Sequence, residues 1–460
     1  MFQLVTLDSI READQNLSTG FEAAVTADFS VSCSHLSGSL SGVVGFYACA
    51  GYRRPETYHA MRLEDRITRR QRRGGKRPRL VRDLSELDPT AHPEEPTGRG
   101  PTLERILDHL DPVFDGDLPS NAHVHGPKGV GKSAVVASLF DHLASALPTG
   151  RSVIHTTTRT AATPTTSFAY VDSRDAPTEF ALLHAALDAL CEEPVPSQGV
   201  GVEALRERLA ECVAHDEHTV VAVDHVGEPE TYSAATAVET LASVSPHLSV
   251  LTVGREPRDD PSAGGETDGG TAATDATSIA VPAYERHSLV DILVARASDG
   301  VTRNALPHEA TREVAEWADG DAHDALSALY GAATLAAADG ADTIDTEYVC
   351  AGIDAVPDDG CSLGRVFALA ESRRRVLRAF VALDDEETAS VSAATEHIAA
   401  SPRVSLSPAT IRRVLYELSD LGIVRRVSDC DPTDGPGRPA TRPVPNFSTL
   451  AFRGLDDGER

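Results

Sequence analysis

Lysine is nearly missing from this 460-residue chain: Lys76, Lys128 and Lys132 are the only three. Aromatic residues make up 5%, with a single Trp, and Met61 is the only methionine after Met1. No apolar run reaches the roughly 18 residues of a membrane helix. Gly42–Gly51 (GVVGFYACAG) is too short and too late for a signal peptide. These absences leave no membrane role and point to the cytoplasm. The seven cysteines, at 33, 49, 191, 212, 350, 361 and 430, form no C-x-x-C pair and no Cys/His metal spacing. That excludes a zinc-ligand pattern and suits a reduced compartment.

Positive charge is also scarce. Lys plus Arg number 42 against 70 Asp plus Glu, a formal net charge of −28 and a pI near 4.9. A lysine-poor, acidic, Ala-rich chain with few aromatics has the composition of proteins from salt-accumulating archaea. Such acidity ordinarily speaks against nucleic-acid binding. Where it serves solvation, local basic patches carry more information than the total.

Two of the three lysines lie in one loop. Gly126-Pro127-Lys128-Gly129-Val130-Gly131-Lys132-Ser133 fits G-x-x-x-x-G-K-[ST]. The glycines let backbone N–H groups curl round phosphates, and a compact ammonium at Lys132 reaches between the β- and γ-phosphates where a guanidinium fits poorly. Ser133 is placed to hold Mg²⁺. Ala122–His125 reads as a strand before the loop. Val135, Val136, Leu139, Phe140 and Leu143 recur at helical spacing after it, so the loop opens a helix whose N-terminus faces the phosphates. This is a site for ATP or ADP with Mg²⁺.

Length suits two to four domains. Residues 1–60, Ser-rich and without periodicity, read as a leader or a mis-assigned start. Residues 61–92 form a basic arm, with ten Lys or Arg residues between Arg62 and Arg82. That arm suits either phosphate binding or a solvated tail. A nucleotide-binding base is expected over 93–285, from apolar strands at Ser167–Val171, Thr219–Asp224, Leu248–Val253 and Ser278–Val281. Apolar strands without alternation predict a parallel sheet covered on both faces. Glu256–Thr277, packed with Asp, Gly, Ser, Thr and Pro, reads as an exposed loop. Residues 286–358 are helical in pattern, and 359–452 form a separate unit.

Asp224 ends an apolar strand and has the position of a Walker B acid, orienting the Mg²⁺-bound water. In an active ATPase the next residue is usually Glu, which polarises the attacking water. Here it is His225, with Glu228 nearby. Binding is therefore better supported than hydrolysis.

The ordered set of motifs resembles the archaeal AAA+ replication initiators, related to the eukaryotic origin recognition complex and its licensing factor. The resemblance runs from about Pro93 to Phe452. It rests on Glu94-Glu-Pro-Thr-Gly98-Arg99-Gly100, the P-loop, Tyr170-Val-Asp-Ser-Arg-Asp-Ala-Pro-Thr178, Val281-Pro-Ala-Tyr284 and Gly320-Asp-Ala-His323-Asp-Ala325. It implies an α/β AAA+ P-loop base with a helical lid, followed by an α+β winged helix. It also implies Arg99 near the nucleotide and His323 in place of the lid's sensor-2 arginine, a weaker and pH-dependent cation. The sensor-1 polar residue has no clear counterpart; Thr252, Gly254 or Arg255 occupy its region. Arg255 and Arg258 are the candidates for an arginine finger. Loss of these groups removes stabilisation of developing transition-state charge, so slow or absent hydrolysis is expected.

Residues 362–452 carry winged-helix signals. Glu371–Leu383 is a helix with Val376, Leu377 and Phe380 inward and Arg373, Arg374, Arg375 and Arg378 outward. Val391–Ala400 is a second. Ser407-Pro408 is an N-cap plus N1 proline opening a third, which Gly422 ends. Ile423–Val427 and Val444–Phe447 are strands flanking a wing tip at Asp431–Thr441. Thr410, Arg412 and Arg413 on the third helix, with Arg425, Arg426, Arg438 and Arg442 along the wing, form a surface for duplex DNA. The function expected is an ATP-binding initiator at origins, with other initiators or a replicative helicase as further partners. A nucleotide-switched transcriptional regulator, a degenerate initiator paralogue and a motor ATPase are the alternatives.

Overall fold

Short runs of Val, Ala and Leu build the sheet that carries the P-loop. The computed structural model describes residues 80–147, 166–191, 194–215, 218–257, 276–428 and 441–458. The leader, nearly all of the basic arm, most of the acidic loop and the wing tip lie outside the described residues, and Arg258 and Arg438 go with them. Strands β1 (Ala122–His125), β2 (Thr166–Asp172), β3 (His218–Val226), β4 (Leu248–Gly254) and β5 (Thr277–Ala280) pair throughout in parallel, in the order β2-β3-β4-β1-β5. β1 is thus flanked by β4 and β5, with Ala122 opposite Leu251 and Thr277. Ligands in open parallel sheets sit beyond the carboxyl ends of the strands, near a reversal of strand order. The P-loop leaves β1 there.

Both faces of the sheet are covered, as the unbroken apolar strands require. Along β3, Val220 and Ala222 face a cluster with Ile106, Val135, Val136 and Phe140. Val221 and Val223 face the other side, against Leu182, Leu183, Leu205 and Leu209. These leucines belong to α3 (Glu179–Leu190) and α4 (Val202–His215), and α5 (Ala234–Ala242) adds Val238 and Leu241 on the same side; α1 (Gly100–Leu110) and α2 (Lys132–Ala146) cover the first face. β3 carries a register shift between Val223 and Val226, and His225 inside it has φ +61°. Such a bulge re-aims side chains at a strand end, here beside Asp224.

The lid is four helices: α6 (Arg286–Gly300), α7 (His308–Trp317), α8 (Ala322–Asp339) and α9 (Thr346–Asp354). After α10 (Leu363–Phe367) come α11 (Glu371–Val381), α12 (Val391–Ala400) and α13 (Pro408–Asp420), then the antiparallel pair β6 (Val424–Ser428) and β7 (Thr441–Pro445). This is a winged-helix arrangement. Ser407 caps α13 by accepting from the Thr410 N–H at 3.2 Å.

The lid and residues 359–452 meet through apolar side chains: Leu329, Tyr330 and Ala332 of the lid share one cluster with Val366, Phe380, Leu415 and Phe447. A last helix, α14 (Thr449–Gly458), which the pattern did not predict, adds Ala451 and Phe452 to it. Among the described residues no helix is long and apolar enough to cross a membrane.

Candidate nucleotide-binding site

Gly129 and Gly131 take φ +67° and +72°, a left-handed region that L side chains rarely adopt. A Cβ on Gly129 would run into the Asp321 carboxylate, and one on Gly131 into the Tyr284 hydroxyl. Glycine at these places lets the loop turn under Asp321 of the lid and Tyr284 just before it. The Gly126 N–H donates to the Arg255 carbonyl at 3.2 Å, tying the loop to the end of β4. Val130 is buried in the core beneath the loop. Gly131 then opens α2 at Lys132.

Lys132 Nζ donates to the carbonyls of Gly126 (2.8 Å) and Pro127 (2.7 Å). Burial and the nearby Arg255 pull its pKa down to about 8, against the pull of Asp224. A phosphate is the compensating partner for a partly desolvated ammonium. Asp224 is buried at the end of β3. It accepts from Tyr170 Oη at 2.6 Å and the His225 N–H at 2.6 Å, and the Ser133 hydroxyl also hydrogen-bonds it. Burial opposes its charge, yet His225, Tyr170 and Ser133 together hold its carboxyl below the usual range. Burial and the Asp224 charge push the Tyr170 phenol well up, so it remains a donor. Ser133 and Asp224 therefore meet, an arrangement that would offer two oxygen ligands to a divalent cation.

His225 lies 3.8 Å from Asp224 Oδ2, 3.9 Å from Asp172 Oδ2 and 3.6 Å from Glu228 Oε1. Burial works against its charged form, but Asp224 and Glu228 outweigh it and raise its pKa. A histidine drawn toward its charged form among three carboxylates thus stands where an active ATPase usually has glutamate. Thr252 in the sensor-1 region is buried and committed inward, with His123 Nδ1 2.9 Å from its hydroxyl.

Arg99, only 4% exposed, lies 3.4 Å over the Tyr284 ring, and its Nε and Nη2 have no hydrogen-bond partner among the described residues. Buried guanidinium donors are rarely left unpaired, so a polar group from a ligand is the fitting complement. A nucleotide fits this set: a glycine-lined loop, Lys132, the Ser133–Asp224 pair and an orphaned arginine.

The lid closes directly on the loop. Ala322 at the start of α8 donates its N–H to the Gly129 carbonyl at 3.0 Å. Lys128, expected with the rest of the loop to face the nucleotide, bridges three elements. Its Nζ donates to Asp324 (2.7 and 2.8 Å) and to the Gly360 carbonyl (3.0 Å), with Asp321 at 3.4 Å. His323 does not face the loop as a free cation. Its Nδ1 is 3.1 Å from Asp324, and its Nε2 lone pair accepts the Leu363 N–H at 3.0 Å. The ring fastens lid to winged helix, because Leu363 begins α10 beside the α8 N-terminus.

On the winged helix, Arg412, Arg413, Arg425 and Arg426 are exposed, and Thr410 is half-buried. Arg413 lies 3.6 Å from Glu417, and Arg426 stands 5.6 Å from the Tyr416 ring, an exposed aromatic on α13. Arg442 is placed differently from the expectation: it is largely covered and donates to Asp385 at 2.9 Å. The expected outward arginines of α11 are also mostly engaged. Arg378 holds Asp456 at 2.6 Å and Arg373 holds Glu230 at 2.8 Å. Sequence reasoning missed Tyr170, Asp321, Asp324 and Arg365. Tyr170, Asp321 and Asp324 lay inside quoted motifs, but only their approach to Asp224, Gly129 and Lys128 gives them work.

Residues 95–253 match the AAA ATPase domain family. The sheet order, P-loop, lid and C-terminal winged helix together define an AAA+ P-loop fold with a winged-helix appendage. Among solved structures, the chain is similar to the Orc1 protein of Aeropyrum pernix in complex with DNA, at 20% identity and a TM-score of 0.53. That match covers 83% of this chain and 98% of that one. The Cdc6p of Pyrobaculum aerophilum is 18% identical, covering 83% of this chain and 99% of its own, with a TM-score of 0.47. Orc2 of Aeropyrum pernix, in ADPNP–ADP complexes, is 17% identical over 82% of this chain and 97% of its own, with a TM-score of 0.48. Comparison with curated proteins finds no match.

Proposed function

We propose that this chain is an ATP-binding, replication-initiator-like protein that binds duplex DNA through its winged helix and AAA+ base and hydrolyses ATP slowly or not at all. The observation that carries it is the pairing of a complete phosphate loop with an orphaned Arg99 on the same compact unit as an arginine-bearing α13. The fold it shares with the DNA-bound Orc1 protein supports DNA as the partner. Lys132 holds the β- and γ-phosphates, Ser133 and Asp224 hold Mg²⁺, and Arg99 meets the nucleoside side. The metal, when bound, supplies charge neutralisation of the phosphates. His225 in place of a base, the inward Thr252 and the occupied His323 support weak turnover. Arg412, Arg413, Arg425 and Arg426 would contact the DNA, mainly at phosphates. Haloarchaeal origin and action at replication origins belong to the same reading.

The test is genome-wide mapping of bound sites for the intact protein and an Arg412→Ala/Arg413→Ala variant, alongside ATP turnover. Origin-proximal sites lost in the variant are expected, with turnover close to background. Promoter-only sites would favour a regulator. Rapid DNA-stimulated turnover lost on Lys132→Ala would favour a motor.

A further inference from the structure

One carboxylate joins the winged-helix side of the molecule to the nucleotide site. Glu228 follows β3, and its side chain is 8% exposed. Three cationic groups surround it: His225 Nδ1 at 3.6 Å and Arg255 Nη2 at 3.6 Å from Oε1, and Arg365 Nε at 3.5 Å from Oε2. All three distances are long for charge-assisted hydrogen bonds. Oε2 has no hydrogen-bond partner at all among the described residues. One buried carboxylate therefore answers three cationic groups, and holds none of them tightly.

Arg255 also lines one cavity with Pro127 and Lys128 of the P-loop and with Gly360. The Lys132 ammonium feels both Arg255 and Glu228. The Cys361 thiol, buried at the start of the winged-helix segment, feels Arg365, Lys128 and Arg255. Arg365 itself comes from α10 and is anchored by Nη2 donating to the Leu421 carbonyl at 2.6 Å. The loop bearing Glu228 lies between two non-glycine residues of positive φ, His225 (+61°) and Glu230 (+63°). Backbone of that kind persists where surrounding structure demands it.

We propose that Arg255 and Arg365 are a pair of arginines that recognise the terminal phosphate of a nucleoside triphosphate within the same chain, with Glu228 as the counter-anion that the phosphate displaces. The inference rests on the nucleotide reading of the P-loop and adds to it a means of telling triphosphate from diphosphate. A phosphate oxygen offers a guanidinium short, charge-assisted hydrogen bonds, which Glu228 does not. Arg365 makes the winged helix part of the site. Its domain also grips the Glu228 loop through Arg373, whose Nη1 and Nη2 donate to Glu230 at 2.8 and 3.2 Å.

Titration calorimetry on the full chain tests this, with MgADP and with a non-hydrolysable Mg-triphosphate analogue. Arg365→Ala and Arg255→Ala should each weaken the triphosphate about tenfold and leave ADP unchanged. Glu228→Gln should strengthen the triphosphate alone. A structural role for Arg365 would weaken both nucleotides equally, and that result, or no change with either, overturns the proposal while the P-loop reading stands. Absence of binding by the unaltered protein would instead remove the P-loop reading, and this one with it. If Arg365→Ala fails to fold, Glu228→Gln decides, since it keeps Arg365 in place; triphosphate affinity that does not rise refutes the idea.

Discussion

The nucleotide face and the α13 face both present cations, but they hold them in opposite ways. At the P-loop, Lys128 is bound by two lid aspartates and Lys132 by two loop carbonyls, and Arg255 leans on Glu228. On the winged helix, Arg412, Arg425 and Arg426 meet no carboxylate among the described residues and stand in solvent. A cation enclosed with its counter-charges is pre-oriented for one small anion of defined shape. A cation on a long exposed stem suits a repeating anion such as a phosphate backbone, where position is loosely set and salt competes. On the proposed reading the same chain separates a geometric anion site from an electrostatic one.

The comparison breaks most readily at Lys132. Lys132→Ala should lower nucleotide affinity by about a hundredfold or more, as expected for loss of a desolvated charge on phosphate, and leave α13 intact by circular dichroism. Calorimetry checks it; unaltered affinity would mean that the loop is not a phosphate site. Next is the pair Arg412→Ala/Arg413→Ala. Duplex binding should weaken at every sequence tested, and the slope of log K against log salt should flatten by about two. A full slope in the variant would move the DNA surface elsewhere. Arg442→Ala should leave that slope alone, because Asp385 already holds this guanidinium.

Stability separates the two faces further. Asp456, 7% exposed, takes Arg378 Nε at 2.6 and 2.7 Å. Asp456→Ala should destabilise the winged helix by about 2 kcal/mol, measured by urea denaturation. The smallest effect concerns pH. With its pKa near 8, Lys132 is charged below that value and loses its proton above it. Nucleotide affinity should therefore hold through neutral pH and decline as pH rises past about 8, while duplex binding by arginines stays flat. A flat nucleotide profile would show that Lys132 stays fully protonated.

Much of the base was legible because its strands are apolar on both faces and its loop has a fixed spacing. Val220–Val223 could be placed in a covered parallel sheet from composition alone, and Gly126–Ser133 needs no tertiary partner to be recognised. The lid and winged helix were legible as helices, but not as one core. Helical spacing says which face of α8 or α11 is apolar, not which apolar face it meets. Arginines were the hardest to read. Arg373, Arg378 and Arg442 look like Arg412 and Arg413 in sequence, yet carboxylates far along the chain take the first three.

From the order of residues alone followed the phosphate loop, the apolar strand that carries Asp224, the covered sheet and the helix that Ser407 caps, since each depends on neighbours within a few positions. What tertiary structure alone decided was which charges remain available. Asp321 over Gly129, His323 on Leu363, Glu228 among three cationic groups and Asp385 on Arg442 are meetings of distant segments. A charge in a protein is defined by what folds against it.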